Sequence, residues 1–206
     1  MKNGLRTLAV LMFVLGVSVP AFATSLVITF DTLTDGDLVT NQFAGTHFIN
    51  AQVLAAGISL NEFEFPPHSG VNVVTDSGGA IAISFDNALA GFDGFFTYLQ
   101  PLTLQAFDAG HSLLGTVTTS PLFASNLVLS GDAGSLPNEF LSFSSAAGIA
   151  SVIITGDALG GSFTLDDATL TSLPPQGPGP TPVPEPGTIS LVAIGVGSWV
   201  RRRARK

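Results

Sequence analysis

Asp31, Asp35 and Asp37 crowd one short Gly-containing segment, and Asp166 and Asp167 stand side by side much further along the chain. Clustered carboxylates of this kind supply oxygen ligands for calcium, which takes six to eight of them, backbone carbonyls included. The 31–37 spacing is not that of an EF-hand loop, which closes on a bidentate glutamate. Asp166 and Asp167 fall in a run that reads as a strand, where neighbouring side chains point to opposite faces. Only one of them can therefore face a shared site. The expectation is a structural calcium near Asp31 and Asp166, with Asp35, Asp37 and Asp167 as further candidate ligands. The competing reading is plain turn aspartates.

Other chemistry is thinner. His47, His68 and His111 lie far apart, in no metal-ligand spacing. Ser69, after Pro66-Pro67-His68, lacks the strand–turn–helix context of a nucleophile elbow. No catalytic residue is assigned, and the expectation is a non-enzyme. A secreted glycoside hydrolase stays as a distant alternative, because paired carboxylates can come from remote parts of a chain. Sugar platforms are scarce: Trp199 lies in a C-terminal apolar run and Tyr98 in the apolar stretch 92–99. Phenylalanine has no polar handle, so most of the phenylalanines read as core. His68, Asn72 and Tyr98 are the polar contacts a glycan could use. Thr116, Thr118 and Thr119 are too few for the flat threonine array that ice binding would want.

The elements that must position these residues are strands. Short apolar and β-branched runs recur at 26–30, 53–60, 80–85, 92–98, 102–107, 113–118, 126–129, 140–143, 151–155 and 162–170. Gly, Asn, Asp and Pro break them, the pattern of an all-β chain. Ile81, Ile83 and Phe85 alternate with Ala82 and Ser84, as a half-buried strand requires. No fixed-length repeat argues for a solenoid. The fold class expected is a two-sheet antiparallel sandwich or jelly roll. With no cysteine, disulfides cannot staple it.

Charge is segregated. No lysine or arginine occurs from residue 7 to 200, and that stretch holds all fifteen acids. Lys2 and Arg6 precede an apolar stretch at 8–19 and the small-x-small site Ala21-Phe22-Ala23. This is the layout of a secretory signal cleaved after Ala23 by signal peptidase. At the other end a Pro/Gly-rich linker, 174–182, leads to Val183-Pro184-Glu185-Pro186, an apolar run at 188–200, and Arg201, Arg202, Arg203, Arg205 and Lys206. At 1.5 Å per residue the run spans about 20 Å of a hydrocarbon core roughly 30 Å thick. The basic cluster belongs on the cytoplasmic side. The expected organisation is a signal peptide at 1–23, a β domain at 24–173, the linker, and a sorting segment at 183–206. Removing both ends takes away Glu185 and every Lys and Arg. The net charge moves from −8 for the whole chain toward about −14. Such a polyanion repels phosphate backbones, so nucleic acid is excluded as a partner.

The ending at 183–206 resembles the PEP-CTERM sorting signal of Gram-negative bacteria: Pro-Glu-Pro, apolar helix, arginine cluster. The resemblance implies recognition by exosortase, transient membrane residence through 188–200, and delivery to the cell surface or the exopolysaccharide matrix. The body is similar to the globular parts of such proteins at Ile28-Thr29-Phe30-Asp31, Asn61-Glu62-Phe63-Glu64-Phe65-Pro66-Pro67 and Phe163-Thr164-Leu165-Asp166-Asp167-Ala168. Galactose-binding-like jelly rolls share the first and last of these features, and several hold a structural calcium where first and last strands meet. The expected function is a binding or structural role in that matrix. A calcium-assisted carbohydrate-binding module is the alternative.

Overall fold

The computed structural model describes residues 23–174. The expectations for the leader, most of the linker and the sorting segment lie outside them, except that Ala23 is the first described residue. Among the described residues no helix is long and apolar enough to cross a membrane.

Among the described residues ten strands form: β1 (Ser25–Ile28), β2 (Leu38–Val39), β3 (Thr46–Ile49), β4 (Ala51–Ala55), β5 (Asn72–Ser77), β6 (Ile81–Tyr98), β7 (Thr103–Phe107), β8 (Leu113–Thr118), β9 (Glu139–Thr155) and β10 (Gly160–Ser172). They pair antiparallel in the order β2-β4-β5-β10-β6-β9-β7-β8, with β1 on β10 and β3 on β6. The long strands change partners along their length. The first part of β6 lies between β3 and the end of β9; its second part lies between β10 and the start of β9. Register shifts interrupt β6–β9 pairing between Ser84 and Gly91, and β10–β6 pairing between Asp166 and Thr169. Such irregularities bend a strand. They fold the hydrogen-bonded network into two layers, so that Ile81 and Ile83 share one buried cluster with Phe92, Phe96, Tyr98 and Phe163.

The all-β expectation holds, with local corrections. The runs at 80–85 and 92–98 are one strand, as are 140–143 and 151–155. The run at 53–60 stops at Ala55, where Gly57 takes φ +78 in a turn. The run at 126–129 is not a strand. Asn126 there accepts from Tyr98 N at 2.6 Å and donates to Phe96 O at 2.9 Å, replacing a neighbouring strand with one side chain. The two ends of the β domain meet: Thr24 N donates to Ser172 Oγ (3.0 Å) and Ser172 N to Thr24 O (2.8 Å), extending the β1–β10 ladder.

Candidate functional site

Alternation along β10, β6 and β9 sends one set of side chains inward and the other onto an open face. Phe92, Phe96 and Leu141 are buried, whereas Asp93, Phe95, Phe140 and Ser142 lie toward solvent. The register sets these in rows. Thr171, Gly91 and Ser144 form one row; Thr169, Asp93 and Ser142 form the next; Phe95 and Phe140 close the series beside Asp166. The face therefore runs from hydroxyls, through one carboxylate, to two aromatic rings. Burial pushes the Asp93 carboxyl above its ordinary range, with the Thr169 hydroxyl partly offsetting it.

The aromatic end is held by a bulge. At Asp167, φ is +48, an uncommon conformation for a residue other than glycine. The kink brings both neighbouring carboxylates onto one loop. Asp167 Oδ2 lies 2.6 Å from His68 Nδ1, and its Oδ1 accepts the Ser69 hydroxyl at 2.7 Å. Asp166 accepts Ser69 N at 2.8 Å and Asp167 N at 2.7 Å. The rule that adjacent strand residues face apart fails here because the strand is not regular at this point. Asp166 is almost fully buried, and burial above all raises its carboxyl to about 6; the amides of Ser69 and Asp167 oppose the rise. His68 in turn stacks on Phe95, with ring centres 3.5 Å apart and planes within 8°. Phe95 meets Phe140 at 5.2 Å. Phe140 keeps 51% of its surface exposed. With Nδ1 engaged by Asp167, Nε2 is the ring nitrogen of His68 left for a further partner.

This geometry is not a catalytic triad. The Ser69 hydroxyl donates to Asp167, not to His68, so no histidine is placed to take its proton. The candidate calcium ligands also scatter. Asp31 accepts Val71 N (2.8 Å) and Asn72 N (3.1 Å); Asp35 accepts Ala55 N (2.8 Å) and the Ser59 hydroxyl; Asp37 accepts Thr34 N at 2.9 Å. Asp31 and Asp166 do approach one segment, 69–72, but from there amide N–H groups answer their charge. Among the described residues no group of three or more His, Asp or Glu side chains is placed to hold a metal ion.

Of the polar contacts expected for a glycan, His68 is at the surface. Asn72 is buried, donating to Phe30 O and Leu33 O. Tyr98 is fully buried with its hydroxyl on Glu139 at 2.6 Å. His47 is engaged elsewhere, between Asn41 and Asp86, and His111 sits at φ +61 in the β7–β8 turn. Phe95 and Phe140 were not singled out from the sequence. For Phe95 the available signal is the doublet Phe95-Phe96, since two successive aromatics in a strand put one ring on each face; Phe140, between Glu139 and Leu141, has no such signal.

No family model matches the chain, and no curated protein matches it. Among solved structures, the K2 cleaved adhesin domain of Lys-gingipain aligns with a TM-score of 0.46 at 13% identity, over 71% of this chain and 99% of that one. A family 29 carbohydrate-binding module mutant complexed with mannohexaose aligns at 0.38 and 8%, over 73% and 93%. The CBM22-1 xylan-binding domain from Paenibacillus barcinonensis Xyn10C aligns at 0.39 and 12%, over 77% and 99%.

Proposed function

We propose that this chain is an exported cell-surface or matrix protein whose β domain binds a neutral polysaccharide across β10, β6 and β9. A sugar ring lies against Phe140, and its hydroxyls meet His68, Asp93 and the Ser/Thr rows. The observation that carries this reading is the aromatic set at the end of a polar sheet face, with His68 stacked on Phe95 and the exposed Phe140 tilted against Phe95. An exposed ring offers apolar area to the C–H face of a pyranose, and a few fixed polar groups then orient the ligand. The choice of a neutral glycan follows from charge, since the body carries acids and no Lys or Arg. Its delivery follows from the ends: signal peptidase acting after Ala23, then exosortase acting at Val183-Pro184-Glu185-Pro186, with 188–200 in the membrane only in transit. No metal and no catalytic step enter this reading.

Residues 24–174, with their own core, are the material for the test. Affinity electrophoresis in gels containing dextran, glucomannan or xylan is expected to retard the protein in at least one. Phe140→Ala should weaken that retention about tenfold, a loss of roughly 1.4 kcal/mol. Wild-type protein that migrates freely in every gel, or a Phe140→Ala variant retarded as strongly as wild type, would sink the reading.

A further inference from the structure

Strand β8 ends the sheet. Among the described residues it pairs only with β7, so one side of its backbone is left without a ladder partner. Its sequence, Leu113-Leu114-Gly115-Thr116-Val117-Thr118, has no charge and no proline. Proteins ordinarily guard such an edge with lysine, proline, a short strand or a bulge, because unpaired N–H and C=O groups template another strand. Here a bulge falls at the Leu114 end and leaves Gly115 to Thr118 in regular register with Ala106 to Thr103.

The surroundings suit the same contact. Neither β7 nor residues 151–155 of β9 contain a charged residue. Thr118, Thr103 and Thr155 stand in one row across three strands, with Thr116, Gln105 and Ile153 in the next. In a body with fourteen carboxylates and no Lys or Arg, two copies repel almost wherever they meet. This uncharged edge and face form a place where they need not.

We infer that β8 pairs antiparallel with β8 of a second copy about a two-fold axis, joining the two sheets into one. An isologous contact fits because the same strand serves both partners. Asp108, in the β7–β8 turn, is the nearest acid along the chain. Antiparallel pairing places the two Asp108 turns at opposite ends. A six-residue strand spans about 20 Å, well beyond the roughly 8 Å screening length at physiological salt. Strand β1 is a second uncharged edge, but it has four residues and borders the face that carries Asp93.

Sedimentation velocity on residues 24–174 tests this, with far-UV circular dichroism confirming that each variant folds. The wild type is expected to sediment as a dimer. Thr116→Glu/Thr118→Glu, two exposed positions, should fold and sediment as a monomer. A wild type that stays monomeric to the highest concentration reached overturns the inference. So does a double variant that dimerises as tightly as wild type, whether through β1 or any other surface. Glycan retention by the monomeric variant is expected to persist, which keeps this inference distinct from the binding reading.

Discussion

At the scale of single residues, much of the structure turns on carboxylates that have no cationic side chain to meet. They are met by amides and hydroxyls instead. Asp76, buried between β5 and β10, takes Ser162 N, the Ser162 hydroxyl and Phe163 N. Asp31 takes two amides of the 69–72 segment, and this demands Gly70. A Cβ there would lie 2.1 Å from Asp31 Oδ2, and φ is +53. Gly70→Ala should therefore cost about 2–4 kcal/mol of stability, combining a clash with an unfavourable backbone. A thermal melt shifted by less than a degree would show that the loop adapts freely. Asp166 behaves differently. Its carboxyl is raised from an ordinary 3.8 to about 6 in the folded chain, so the native state holds that proton more tightly than the unfolded one. Its contribution is fully present below about pH 3.8 and is lost as pH rises through about 6. Between those limits the melting temperature of wild type relative to Asp166→Asn should fall. Parallel curves for the two proteins would contradict the assignment.

At the scale of elements, the sequence was readable where a strand is regular and obscure where it bends. The alternation at 81–85 marks real strand, and so does Leu102-Leu104-Ala106, whose three side chains are fully buried. What alternation could not show was that β6 and β9 continue through a corner, because a bulge breaks the period of two on which the reading depends. Strand β5 escaped notice for another reason. Asn72, Thr75 and Asp76 are polar yet buried, each satisfied by hydrogen bonds that no local pattern announces. The candidate site was half legible for the same reasons. His68 and the Asp166-Asp167 pair attract attention as residue types. Their meeting depends on a register shift, and the two phenylalanines become a platform only once the faces of β6 and β9 are assigned.

At the scale of the whole molecule, the governing quantity is net charge. An acidic body of this kind invites the idea that bound calcium holds it together, and the acids at 31–37 and 166–167 are its candidate ligands. Their carboxylates are instead answered by backbone amides, the hydroxyls of Ser59 and Ser69, and His68, so excess EDTA is expected to leave the melting temperature of residues 24–174 unchanged. A fall of several degrees, reversed by calcium, would return the ion to these residues. Diffuse repulsion should still be felt: monovalent salt is expected to raise stability gently, since screening weakens like-charge contacts between exposed groups.

The pairing of the first and last strands also decides how this domain answers to force. Thr24 and Ser172 sit together at one extremity of the antiparallel β1–β10 pair. Pulled by both ends, β1 peels from β10 one rung at a time, like a zipper, and yields at low load. Pulled by Ser172 against a load applied at Phe95 and Phe140, the tension runs lengthwise down β10. Its rungs to β6 and β5 are then loaded in parallel and must fail together. The same strand is weak against traction on both its termini and strong against a load carried into the sheet through β6.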